Sequence, residues 1–305
     1  MKTFHFSSPR VSAALEISRE SPSQRYDRIV GDFRENNIYF DGPFENWRAA
    51  TSVAGGYDAP IILRKAIDSA RVVAAGGAKY ERDTVLFYKQ SFSHEMLAWL
   101  FFVASVKDNR LRVVDFGGAL GSSYFQHRAA LTHLDELKWC VVEQQHLVDA
   151  AKSELSNEAL SFSANFGEAV QNLRPNLLIL SGVLQYLEEP HTFLRTCFAK
   201  GIDFILIDRT TAQYDTPERP YVQHVPKWIY EASYASWFMD ANHIEDSFRE
   251  HSYEIIDRFE NHETFGKRMP TGLKDLERWG IEVPGSEVTP EWPYLGWFIK
   301  KVDSV

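Results

Sequence analysis

The sequence predicts an α/β fold: a Rossmann-like, seven-stranded, mostly parallel sheet with helices on both faces and a helical cap at its N-terminal side. Three observations carry this. From Leu111 onward, short apolar runs alternate with amphipathic stretches. The first run ends in an acid and a glycine-rich turn, Asp115-Phe116-Gly117-Gly118-Ala119-Leu120-Gly121, the strand–turn–helix form of a nucleotide-type site. After five such runs come two late strands, the last expected to be antiparallel.

The 305 residues suffice for a full core, and 44% apolar content is that of an ordinary folded chain. Thirty-three basic against forty-two acidic side chains give a net charge of −9, which argues against nucleic acid as the partner. Cys140 and Cys197 sit in apolar patterns with no second ligand nearby, so they are expected as buried free thiols, and no metal site is expected. The first ten residues lack the apolar core of a signal peptide, and the most apolar run, residues 96–106, is too short to span a bilayer. A soluble, cytoplasmic protein is the expectation.

In chain order, residues 1–39 read as a polar arm and residues 40–110 as the helical cap. Within the cap, Ile61, Ile62, Lys65, Ala66, Ser69, Ala70 and Val73 share one helical face, and Gly76-Gly77 ends that helix. A second helix spans residues 93–107, apolar nearly all round and therefore expected to be covered on several sides. Residues 111–305 form the sheet domain. Its strands are expected at residues 111–116, 138–143, 160–166, 176–181 and 204–208, with helices over 122–133, 148–155 and 190–199. An aromatic insertion over about residues 210–238, rich in Tyr, Trp, Pro and His, is expected to lie over the top of the sheet. A helix over 240–251 and strands at 253–259 and 294–300 complete the pattern.

The turn at Asp115, Gly117, Gly118 and Gly121 resembles the first motif of class I S-adenosylmethionine-dependent methyltransferases, with Ala119 where that family usually has glycine. Glu143, ending the second strand, matches the acid that accepts the two ribose hydroxyls, a task suited to a carboxylate. Asn165 and Phe166 stand where the family meets adenine. Residues 181–190, with Ser181 and Gln185, resemble the segment lining the methyl-donor site. Five parallel strands and two late ones are also that family's arrangement. Gly56-Tyr57-Asp58, Tyr80-Glu81-Arg82-Asp83, Val222-Gln223-His224-Val225-Pro226 and Tyr230-Glu231-Ala232-Ser233-Tyr234 further resemble a bacterial methyltransferase family linked to surface-polysaccharide gene sets.

The resemblance implies S-adenosylmethionine as cofactor and O-methylation of a small-molecule or glycan-type acceptor. Arg82 or Tyr57 is the candidate for the methionyl carboxylate, which needs a cation or a hydroxyl. His224, in the aromatic insertion, is the candidate general base, with Asp208 at the end of strand five as its alternative. Tyr221, Gln223, Tyr230, Tyr234 and Trp237 are candidates for pocket walls or core packing. Two rival readings remain open from sequence: an NAD(P)-dependent oxidoreductase, since glycine turns and a second-strand acid serve that cofactor too, and a catalytically degenerate binding module.

Overall fold

The computed structural model describes residue 31 and residues 34–35, 38–56, 60–261 and 294–302. Most of the expected arm, Tyr57 and the excursion before the last strand lie outside these residues.

The N-terminal layer holds β1 (Tyr39–Asp41), α1 (Trp47–Val53), α2 (Pro60–Ala74), β2 (Tyr80–Arg82), β3 (Val85–Phe87) and α3 (His94–Val106). Asn46 starts α1 by accepting the Ala49 N–H on its side-chain oxygen at 2.9 Å, an N-cap. The layer is not all helical. Tyr80–Arg82 forms the first arm of the β2–β3 hairpin, closed by Asp83 and Thr84 at φ +50° and +69°. α3 is buried through Met96, Leu100, Val103 and Ala104, and Trp99 stacks on Phe298 at 4.1 Å. Phe102 and Val106 stay exposed, so this helix is covered along one broad face rather than all round.

The sheet domain follows as β4 (Arg110–Phe116), α4 (Ser122–His127), β5 (Glu136–Val142), α5 (Gln145–Lys152), β6 (Leu160–Ser163), α6 (Phe166–Leu173), β7 (Leu177–Ser181), α7 (Pro190–Ala199) and β8 (Phe204–Gln213). Then come β9 (Arg219–Val225), β10 (Ala232–Asp240), α8 (Ala241–Glu250), β11 (Tyr253–Asn261) and β12 (Tyr294–Lys301). The expected strands are present. Helix α6 was not foreseen, and it begins at Phe166, where a strand was expected to end. The stretch expected as one helix over 122–133 stops at His127 and passes into a single tight turn at Arg128–Ala130.

Strands β6, β5, β4, β7 and β8 are adjacent and parallel, β12 adds antiparallel to β8, and β11 closes the edge beside β12. This is the expected arrangement of five parallel strands and two late ones. Alternate residues serve two cores. Val113, Val141, Leu177, Ile179 and Leu206 face α2, α3 and α5, while Val114, Val142, Leu178, Leu180, Ile205 and Ile207 face α7 and α8. Burial on both faces is why these strands read as continuous apolar runs. Cys140 and Cys197 are buried free thiols in the second core.

The aromatic insertion is sheet, not lid. Strand five runs on past Asp208 to Gln213, and its last residues pair in parallel with β10, Met239 opposite Ala212 and Asp240 opposite Gln213. β10 pairs antiparallel with β9, and β9 with β1, so three more strands extend the sheet to ten. β1, from the N-terminal side, thereby becomes the outer edge of the domain that follows it.

Candidate active site

The carboxyl ends of β4, β5, β6 and β7 open into one cavity of about 1090 Å³, closed on the other side by α1, the β2–β3 hairpin and the β9–β10 extension. Ligand crevices in open α/β sheets lie at this end of the strands.

At the end of β4, Asp115 is 1% exposed and its Oδ2 accepts the Trp139 indole N–H at 3.1 Å. Burial pushes its carboxyl up from 3.8 to about 7. The turn is shaped by its own neighbours. Gly117 has φ +71°, and a Cβ there would stand 2.5 Å from Val183 Cγ2. A Cβ on Gly118 would stand 2.5 Å from the Asp115 carboxylate. These two positions are therefore glycine because protein atoms fill the space, before any ligand is considered. Ala119 adopts φ +51°, the left-handed conformation that glycine takes most easily, so the turn keeps its shape without the family's residue.

Glu143 follows β5 and lines the cavity. Its Oε1 accepts the Ala119 N–H at 3.2 Å and its Oε2 the Gln144 N–H at 2.9 Å. Burial raises its pKa, and the two backbone hydrogen bonds oppose that rise. Beyond β6, Asn165 caps α6, its Oδ1 accepting the Glu168 N–H at 3.0 Å. Phe166 meets Phe116 edge-on at 5.7 Å, and Phe193 packs on Phe116 at 4.2 Å. Phe116, Phe166 and Phe193 all line the cavity, as Glu143 does.

At the end of β7, Ser181 Oγ donates to Asp208 Oδ2 at 2.9 Å and accepts from Arg209 Nε at 3.1 Å. Gln185 is 1% exposed and donates to the Arg209 carbonyl at 2.9 Å. Ser181, Gln185 and Arg209 line the cavity. Asp208 does not. It is 2% exposed, and besides Ser181 its carboxylate accepts from the Arg209 N–H and from Asn261 Nδ2, each at 2.8 Å. It holds strand ends together.

His224 also lies elsewhere. Gln223 and Val225 line the cavity, and strand alternation turns the residue between them to the opposite face of β9. There its ring stacks on Tyr39 at 4.4 Å and its Nε2 meets Asp41 at 3.0 Å, holding the Asp41 carboxyl below its ordinary value. The expected base pair, His224 and Asp208, is thus placed outside the cavity. The structure brings together Asp115, Gly117, Gly118, Glu143, Asn165, Phe166, Ser181, Gln185 and Arg82 along its lining, while Gly121 packs behind the turn against Leu160 and Phe125.

Two lining residues, Glu81 and Tyr186, had no role assigned from sequence. Glu81, fully buried, accepts the Ser122 hydroxyl and the Thr84 N–H, tying the hairpin to the start of α4, and burial raises its pKa. Beside it Arg82 donates to Gln126 Oε1 at 2.9 Å. Across the cavity, Tyr186 donates to Gln223 Oε1 at 2.9 Å and Gln223 Nε2 donates to the Tyr234 hydroxyl at 3.2 Å. Tyr230 joins this wall, whereas Tyr221 packs on Phe238 and Trp237 on Trp47. The signal for Glu81 was its place in a short alternating run, Tyr80 to Arg82, too brief to stand out. The cavity thus offers a carboxylate and aromatic rings from the parallel-sheet side, and neutral hydrogen-bonding groups from the β9–β10 wall.

No protein-family model and no curated protein matches the chain. Solved structures do. The 1,6-didemethyltoxoflavin-N1-methyltransferase of Burkholderia thailandensis, with bound 1,6-didemethyltoxoflavin and S-adenosylhomocysteine, is similar over 77% of this chain and 89% of its own, at 15% identity and TM-score 0.39. An S-adenosylmethionine-dependent methyltransferase from Clostridium acetobutylicum is similar over 69% and 93%, at 9% identity and TM-score 0.41. Magnesium protoporphyrin IX methyltransferase from Synechocystis, with bound S-adenosylmethionine, is similar over 78% and 97%, at 10% identity and TM-score 0.40. At these scores the likenesses describe what the chain resembles and add no weight to the cavity's own geometry.

Proposed function

We propose that this chain is an S-adenosylmethionine-dependent methyltransferase acting on an oxygen of a small-molecule or glycan-type acceptor. The observation that carries the reading is Glu143: a cavity-lining carboxylate at the end of the second parallel strand, held by an N–H of the glycine turn, in a cavity that aromatic rings also line. A diol-bearing ribose and a purine suit that pairing, since one carboxylate accepts two hydroxyl protons and rings stack on a base.

On this reading Glu143 takes the ribose hydroxyls, and Phe116, Phe166 and Phe193 enclose the base. The Asn165 Oδ1 is engaged as a helix cap, so its amide N–H₂ is the group left to face a ring nitrogen. Arg82, which lines the cavity, is assigned to the methionyl carboxylate, and Ser181 and Gln185 to the wall beside the methyl donor. When bound, the cofactor supplies an electrophilic methyl group on a sulfonium centre. The chain's part is to hold an acceptor in line with it and keep water away. The neutral Tyr186–Gln223–Tyr234 wall is assigned to the acceptor. With His224 and Asp208 outside the cavity, the proposal rests on positioning rather than on a named base.

No helix among the described residues is long and apolar enough to cross a membrane. The acceptor is proposed to be a small polar molecule rather than nucleic acid, in keeping with the net charge of −9.

Titration calorimetry with S-adenosylmethionine tests the reading. Saturable binding to the wild type, weakened in Glu143→Ala, is expected. No binding would refute it, and a fluorescence response to NADH without one to S-adenosylhomocysteine would replace it with the oxidoreductase reading.

A further inference from the structure

Outside the cavity, three side chains from distant parts of the chain converge. His191 is the second residue of α7, Glu218 immediately precedes β9, and His243 is the third residue of α8. Each brings one ligand-type atom within 4.8 Å of the other two. His191 Nε2 lies 2.7 Å from Glu218 Oε1, and His243 Nδ1 lies 3.6 Å from the same oxygen. The two imidazoles stack at 3.8 Å between centroids, 20° from parallel.

We propose that His191, Glu218 and His243 bind a divalent transition-metal ion of the zinc type, at a site separate from the active-site cavity. A hydrogen bond from His191 accounts for the first pair by itself. It does not account for the second imidazole, which directs a nitrogen at the oxygen already engaged by the first. That oxygen already meets His191 and the Asp240 N–H, which fill its two lone pairs and leave none for His243, whereas one metal ion satisfies all three side chains together. Two nitrogens and one oxygen form a donor set that zinc accepts, with a fourth position left for water.

The surroundings fit. Glu218 Oε1 also accepts the Asp240 N–H at 3.2 Å, which orients the carboxylate. Its side chain is 23% exposed and that of His191 16%, whereas His243 is 56% exposed and is the ring free to swing inward. Zinc–ligand bonds of about 2.0–2.2 Å hold ligand atoms roughly 3.3 Å apart, so the widest separation closes by a rotamer change at His243 alone. His191 Nδ1 is buried with no hydrogen-bond partner. A ligating histidine usually donates that second N–H, and its absence here weakens binding by roughly 10–100-fold, which sets the expected affinity in the micromolar range.

The test uses the full chain, dialysed against chelator and titrated with zinc chloride by calorimetry, with cobalt(II) absorption as a second readout. One equivalent bound at micromolar Kd is expected, with d–d bands of a low-coordinate cobalt site. His243→Ala, an exposed substitution that leaves the core untouched, should weaken zinc binding at least 30-fold, and Glu218→Gln should do so too. Zinc at a hundredfold excess over Kd should raise Tm by roughly 5 °C in the wild type and not in His243→Ala. Absence of stoichiometric binding, or His243→Ala binding zinc as the wild type does, overturns the proposal. Cofactor binding, read separately in the same preparations, keeps this outcome distinct from that of the methyltransferase reading.

Discussion

The Ala119 backbone N–H donates to Glu143 Oε1, so the acid ending the second parallel strand holds the glycine turn that follows the first. One side chain thereby serves the turn's shape and the proposed ribose contact together. Glu143→Ala is expected to weaken S-adenosylmethionine binding by roughly 10–100-fold, the range for charge-assisted hydrogen bonds, and Glu143→Gln by less, since one acceptor survives. Calorimetry on both variants checks the order.

Gly117 and Val183 are in contact through a missing side chain. Gly117→Ala should destabilise the fold by about 2–5 kcal/mol, combining left-handed backbone strain with a methyl group driven into Val183. Adding Val183→Ala should recover the steric share and leave the backbone share. Urea denaturation of the two single variants and the double variant measures the coupling, and strict additivity would refute the contact.

Ala119 offers the opposite case. Its φ of +51° costs an alanine what a glycine would not bear, so Ala119→Gly should stabilise by about 1 kcal/mol. Cofactor affinity should be unchanged. A loss of stability would show that the methyl group packs usefully, and melting curves decide it.

Asp115 makes stability depend on pH. Burial keeps its carboxyl protonated in the fold up to about pH 7, while in the unfolded chain it ionises near 3.8. Between those values the unfolded state binds fewer protons, so this group's contribution to stability falls as pH rises from about 4 to about 7. Asp115→Asn keeps an acceptor for Trp139 and removes the titration. Relative to wild type it should gain on the order of 4 kcal/mol between pH 4 and pH 7.5. A pH-independent difference in urea unfolding would contradict the assignment.

Gln223 tests the acceptor wall. Gln223→Ala leaves the hydroxyls of Tyr186 and Tyr234 without their shared partner, yet touches none of the residues assigned to the cofactor. Unchanged S-adenosylmethionine affinity with at least tenfold slower methyl transfer to an accepted substrate is the expected result, measured by S-adenosylhomocysteine release. Equal loss of both would place Gln223 on the cofactor side.

The sheet and the turn were legible because their signals are local. Continuous apolar runs require two covered faces, and an acid followed by closely spaced glycines needs only a few residues to be seen. The β2–β3 hairpin was not legible, since its turn is Asp83-Thr84 at positive φ, without the Asn-Gly or Asp-Gly pair that marks such turns. The β9–β10 extension was read as a lid because its aromatic, Pro and His content masked a period-two pattern. His224 lies on the face of β9 away from the cavity for the simplest reason. Residues 223 and 224 differ by one position in a strand, and parity alone decides which reaches the cavity. Nothing local fixes that parity; it is set by pairing with β1 and β10.

The wall formed by β9 and β10 shares a backbone ladder with the parallel sheet where Met239 and Asp240 lie beside Ala212 and Gln213. Side-chain bonds add to that join: Tyr186 donates to Gln223, the Trp237 indole to the Leu187 carbonyl, and the Thr211 hydroxyl to the Trp237 carbonyl. Glu218 and His243 flank the same place, a few residues from either end of the pairing. A change at that corner therefore reaches the wall proposed for the acceptor from a point that neither donor nor acceptor touches.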